Sequence, residues 1–150
     1  YNPVSQFLVK VTNPLLVPLR RVIPSIGKID TSALLLMLGL QMVSFGLIAL
    51  LRAGQVSMIS LLILSVAELV GLFLNVLLFS IHIQVVISWV SPGTYNPVIS
   101  VLYSITEPLL RPCRRLLPPI SGIDLSPLAA LIGIQVVKML LLPPLQQLAQ

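Results

Sequence analysis

Few side chains in this 150-residue chain are equipped for chemistry, and those few recur at fixed spacing. Arginines stand in tandem twice, as Arg20-Arg21 and Arg114-Arg115, each pair shortly after a proline (Pro18, Pro112). Asp30 and Asp124 follow ten positions after the first arginine of each pair, and Ser32 and Ser126 two positions later. A guanidinium binds phosphate or carboxylate through paired N–H donors, so these arginines suit anionic headgroups, another anionic ligand or a protein partner. Two readings stay open for them: determinants of membrane topology that also anchor on phosphate, or a specific site. Asp30 and Asp124, with Ser32 and Ser126, read as helix N-caps, alone or with each aspartate also clamping an arginine.

The remaining polar candidates lie in apolar surroundings. Glu68 and His82 interrupt the run 57–90; fourteen residues apart, they are separated by roughly 21 Å along a helix and share no proton or metal. Gln41 and Gln135 recur at mid-span depth, with Gly39 and Gly133 nearby. All four polar residues suit contacts between helices, the glycines permitting close approach. No second histidine exists for bis-histidine haem ligation, and Cys113 is alone. No nucleophile–base pair, phosphate loop, metal cluster or carboxylate pair is evident. The expectation is a non-enzymatic protein without metal or cofactor.

The elements that must position these residues belong in lipid. Hydrophobic residues make up 57% of the chain and charged ones 9%, with a mean hydropathy of +1.05. Thirteen charged side chains cannot cover a water-soluble surface of this size. The net charge of +5 points to anionic lipid; a nucleic-acid partner would require a solvated basic face with interleaved aromatics, which is missing. Residues 31–51 are free of charge and long enough for a core of about 30 Å. A second span lies at about 60–90, long and tilted, with Trp89 at one interface. A third covers 125–142, with Lys138 able to snorkel and Pro143-Pro144 ending it.

Residues 1–43 and 95–137 repeat one another at a constant offset of 94, about half of the 43 positions being identical. Tyr1-Asn2-Pro3-Val4 returns as Tyr95-Asn96-Pro97-Val98, Pro14-Leu15-Leu16 as Pro108-Leu109-Leu110, and Pro24 as Pro118. Thr12 returns as Thr106. The chain reads as a duplication, with 1–52 as the first copy (loop 1–30, span 31–51) and 53–150 as the second (loop 91–124 between its spans). A span equivalent to the one ending at Val90 is expected before Tyr1. Each copy is then span, loop, span, which makes the repeats parallel. The two loops hold seven of the nine Lys and Arg residues, which places them on the cytoplasmic face. Within each loop the sequence predicts two short interfacial or re-entrant helices, the second capped by Thr12 or Thr106 and opened by Pro14 or Pro108. The fold class is all-α: a polytopic helical membrane protein of two parallel repeats.

Two copies of Tyr-Asn-Pro, then Thr-x-Pro-Leu-Leu-x-Pro-x-Arg-Arg-x-x-Pro, then Ile-Asp-x-Ser entering a span, resemble the YggT/YlmG family of small bacterial and plastid membrane proteins. Lys28 departs from the glycine at Gly122, and Asn13 stands where the second copy has Glu107. The resemblance implies four spans and a bacterial inner membrane, with a plastid membrane as the lesser option. It also implies roles in osmotic or ion homeostasis, cell division and membrane organisation, or cytochrome b6 maturation in plastids, and supplies no catalytic residues. The functional expectation is a scaffold or assembly factor contacting anionic lipid, other membrane proteins or a second copy through Arg20, Arg21, Arg114 and Arg115. The alternative is a component of ion or osmolyte transport.

Overall fold

Five helices and no strands make up the described residues: α1 (Pro3–Val22), α2 (Thr31–Leu51), α3 (Met58–Val90), α4 (Pro97–Leu116) and α5 (Ser126–Gln147). The structure, a computed structural model, describes residues 2–149 apart from 28, 53, 55, 91–95 and 118–123. Tyr1, Lys28, Tyr95, Pro118 and Gly122, singled out above, lie outside the described residues.

Three helices, α2, α3 and α5, are long and apolar enough to cross a membrane. Their apolar residues run all the way round, as expected of helices surrounded by lipid and other helices. α2 starts where Asp30 caps it and ends where the amide of Arg52 returns to Ile48. α3 holds 33 residues and no proline, so it continues unbroken for about 50 Å. α5 does not stop at Leu142 as its sequence suggests; it passes through Pro143 and Pro144 to Gln147. Two adjacent prolines remove two amide donors, but their fixed φ is compatible with helix, and the amide of Leu148 still reaches Pro144 O.

α1 and α4 are of another kind, each with a polar and an apolar face and with arginines in the last turn. The two short helices expected in each loop are one helix of 20 residues, running through Pro14 and Pro18 in α1 and Pro108 and Pro112 in α4. The threonines explain part of this difference. Thr12 and Thr106 do not cap; their hydroxyls donate to the carbonyls four residues back, Leu8 and Leu102. The prolines are spaced one turn apart on an exposed face, so the carbonyls they orphan (Lys10 and Pro14, Ser104 and Pro108) face outward, where water or headgroups can satisfy them.

The chain divides into two compact units whose limits do not follow the sequence repeat. One comprises residues 1–5 and 72–141. Its core joins Leu77 and Ile81 of α3, Leu110 of α4, and Ala130 and Ile134 of α5, pairs one turn apart that meet on single faces. Where two helices apolar enough for lipid meet, as α3 and α5 do here, packing stabilises through dispersion rather than water exclusion, so fit matters more than buried area. The other unit comprises residues 6–71 and 142–150. Leu16, Ser32, Ser65 and Ala67 are buried there, and a Cβ added at Gly71 would stand 3.4 Å from Leu142 Cδ1. Gly39 and Gly133 have open space around them instead and mediate no close approach.

Candidate functional site

The first arginine motif is built by a fold-back between α1 and α2. Gly27 has φ +62°, a conformation costly for residues with a Cβ, and around it Ile26 and Ile29 exchange backbone hydrogen bonds of 3.1 and 3.2 Å. Beyond this turn the first turn of α2 is pinned to the end of α1. Thr31 Oγ1 donates to Pro24 O at 2.7 Å, and Ser32 Oγ, fully buried, donates to Ile23 O at 2.8 Å. Asp30 is thereby brought beside Arg20. Its Oδ1 accepts from the amide of Ala33 at 3.2 Å, and its Oδ2 accepts from Arg20 Nε at 3.0 Å and from Nη2. Each charge also meets the favourable end of a helix dipole, the arginine in the last turn of α1 and the aspartate before the first turn of α2.

The same clamp recurs 94 positions on. Arg114 Nε donates to Asp124 Oδ2 at 3.1 Å, and Asp124 Oδ1 accepts from the amide of Ser126 at 2.9 Å. The second copy adds a carboxylate: Arg114 Nη1 donates to Glu107 Oε2 at 3.0 Å, with Arg111 3.7 Å from Oε1. Cap and ion pair therefore coexist at both aspartates. The hydrogen bond from Arg20 holds the Asp30 carboxyl below the usual carboxylate range against a smaller effect of desolvation. At Asp124 partial desolvation pushes upward, yet the Ser126 and Arg114 groups outweigh it and the carboxyl again sits low. The hydroxyl of Ser126, fully buried near this carboxylate, reaches full hydrogen-bond geometry with no described atom.

The clamp separates the tandem arginines. Arg20 and Arg114 are committed to carboxylates, whereas Arg21 and Arg115 are exposed and form no ion pair among the described residues. A guanidinium whose donors are occupied holds the chain in place; one with free donors is available to phosphate or to a partner's carboxylate.

The intramembrane candidates are not brought together. Among the described residues Gln41, Gln135 and Glu68 make no hydrogen bond between helices, and Glu68, His82 and Gln135 are exposed on the outside of their helices. His82 Nδ1 donates to Leu78 O of its own helix at 2.7 Å. Other residues make the contacts between helices. Gln84, buried on α3, donates to the hydroxyl of Thr106, which is fully buried on α4. Lys138 of α5 donates through Nζ to Asn75 Oδ1 of α3. Sequence reasoning missed Gln84 and Asn75 because α3 shows no apolar periodicity to reveal which polar residues face inward. The available signal was Lys138 itself, since a cation inside a span requires a polar partner on a neighbouring helix. Asn2 adds a tie of the same kind outside the spans: its Oδ1 caps Val4, as Asn96 caps Val98, and its Nδ2 donates to Pro97 O and, at 2.9 Å, to Ser100 Oγ.

The model of the CCB3/YggT family matches residues 1–51 and 63–145. The chain is 45% identical over 144 residues to an uncharacterized protein of Pseudomonas aeruginosa, covering 95% of this chain and 73% of that protein. It is 39% identical over 143 residues to an uncharacterized protein encoded in the proC 3′ region of Vibrio alginolyticus, covering 94% and 77%. With the uncharacterized protein YggT of Escherichia coli strain K12 it shares 38% over 143 residues, covering 93% and 72%. No solved structure matches the chain. An all-helical chain with three helices long and apolar enough to cross a membrane, matched by this family model over most of its length and by these relatives, is a member of the CCB3/YggT family.

Proposed function

We propose that this protein is a non-enzymatic scaffold or assembly factor of a bacterial plasma membrane, with both arginine-bearing helices at the cytoplasmic headgroup layer. The observation that carries this reading is the division of each arginine pair. Arg20 and Arg114 lock the amphipathic helix to the following span, and Arg21 and Arg115 are left to engage anionic headgroups or an acidic surface of another membrane protein. An exposed basic residue at an anionic surface contributes about 1 kcal/mol, so two act as an anchor strong enough to orient the helices without sequestering lipid permanently. Recovery of phospholipid and polypeptide with the protein extracted from its own membrane tests this. Arg21→Gln with Arg115→Gln is expected to lose anionic lipid or the associated polypeptide while inserting normally; unchanged recovery contradicts the reading.

A further inference from the structure

A cavity of about 540 Å³ opens beside the second clamp, between the C-terminal end of α3, the middle of α4 and the start of α5. Its volume falls within the range of about 300–1,000 Å³ typical of small-molecule sites. Its position sets its depth: the apolar run of α3 ends at Val90 and that of α5 begins at Ser126, so the opening lies where acyl chains give way to headgroups.

Its lining is of two kinds. Val85, Leu110, Leu128 and Leu131 are aliphatic. Gln84, Ser88, Trp89, Tyr103, Arg114 and Asp124 bring polar, charged or aromatic groups. The formal charges among them, Arg114 and Asp124, sum to zero, and just outside Glu107, 3.0 Å from Arg114, is balanced by Arg111 at 3.7 Å. A ligand with a net negative charge would leave this balanced group with an excess. A ligand with one charge of each sign would keep the site balanced. Arg114 uses Nε for Asp124 and Nη1 for Glu107, and a guanidinium has further N–H donors that a phosphate can take. A primary ammonium has three donors, and Asp124, Gln84, Ser88 and Tyr103 bring side-chain oxygens that can accept them. Gln84 gives one of its two amide N–H donors to Thr106, and its Oε1 is an acceptor. The aromatic rings of Trp89 and Tyr103 favour a cation alongside them.

We infer that this cavity is a site for one zwitterionic phospholipid with a phosphoethanolamine headgroup, its phosphate on Arg114, its ammonium toward Asp124 and Gln84, and an acyl chain along Val85 and Leu128. This goes beyond the anchoring assigned to Arg21 and Arg115 and does not depend on it. A quaternary phosphocholine lacks the N–H donors that this lining can receive, and phosphatidylglycerol adds an unmatched negative charge beside Asp124.

The full chain carrying Arg21→Gln and Arg115→Gln, which lacks the anchor for anionic lipid and keeps every cavity residue, is offered equal amounts of phosphatidylethanolamine, phosphatidylglycerol and phosphatidylcholine in detergent, and native mass spectrometry reports the preference. One phosphatidylethanolamine retained per chain, in about tenfold preference over either competitor, is expected. Leu128→Trp added to this chain, which fills the cavity from an exposed position and leaves the clamp intact, should lose that lipid with unchanged helical circular dichroism. Equal or better retention of phosphatidylglycerol or phosphatidylcholine, no retained lipid, or full retention by a folded Leu128→Trp chain overturns the assignment. The lipid competition without Leu128→Trp decides the matter even if that variant does not fold.

Discussion

At the first clamp Asp30 accepts from the amide of Ala33, three residues on, whereas at the second Asp124 accepts from the amide of Ser126, two residues on. The position equivalent to Ala33 is Pro127, which has no amide hydrogen to give. The second copy therefore cannot repeat the first copy's cap and draws in the next available donor. Its arginine is also held differently, by Glu107 as well as Asp124, where the first copy has Asn13 and a single carboxylate. Burial differs most. Thr106 is fully buried under Gln84, while Thr12, with the same bond to its own helix, is exposed. Two stretches identical at about half of their positions thus reach the same arginine–aspartate pairing by different local hydrogen bonding. The pairing is what the duplicated spacing specifies; the cap and the surroundings adapt to it.

Substitutions at equivalent positions of the two copies probe this contrast. The largest expected effect is at the threonines: Thr106→Val leaves buried Gln84 without its acceptor and should cost about 1–3 kcal/mol in detergent unfolding, whereas Thr12→Val should leave the midpoint unchanged. Similar losses at both positions would mean that the copies are equally packed. Next comes Arg114→Gln, which frees two carboxylates and should lower stability by about 1 kcal/mol, more than Arg20→Gln does. Smaller still is the exchange of caps. Ala33→Pro should remove the Asp30 cap amide and shift the first clamp toward the second copy's geometry, seen as a change in the Ser32 amide resonance, with a stability loss below that of Arg114→Gln.

Acid provides a further comparison. Asp30 and Asp124 both bind protons more weakly folded than unfolded, so their contribution is complete above the ordinary carboxylate range of about 4 and is lost as pH falls below it. Carboxyl titration followed by infrared or carbon resonance should place Asp30 low and return it toward the ordinary value in Arg20→Gln. An Asp30 titration unmoved by that substitution would remove the hydrogen bond from the account.

Much of this organisation is legible in the sequence, and the reasons differ by element. The span 31–51 announces itself because no charge interrupts it and an aspartate stands before it. The arginine–aspartate pairing is foreshadowed by its recurrence at ten residues' spacing. The continuity of α1 and α4 is not, because proline is ordinarily read as a helix start or stop, and only the exposed face of Pro14, Pro18, Pro108 and Pro112 shows that their orphaned carbonyls need no protein partner. The polar contacts of the spans are hidden for another reason. In a helix apolar on every side, Gln84 and Asn75 look no different from Gln135, and packing alone decides which of them meets a partner. The recurrence of Gln41 as Gln135 therefore says nothing of a bond between helices.

The central claim is that the tandem arginines divide their work, and two charge-matched variants test it most directly. Arg20→Gln with Arg114→Gln and Arg21→Gln with Arg115→Gln each remove two positive charges, so bulk electrostatics cannot distinguish them. Binding of phosphatidylglycerol is measured for both variants alongside their unfolding midpoints. The account predicts that the Arg21/Arg115 variant loses affinity by roughly 30-fold, the equivalent of about 1 kcal/mol per arginine, at an unchanged midpoint. The Arg20/Arg114 variant should instead lose stability. Equal loss of binding in both, or destabilisation of the Arg21/Arg115 variant alone, would contradict it.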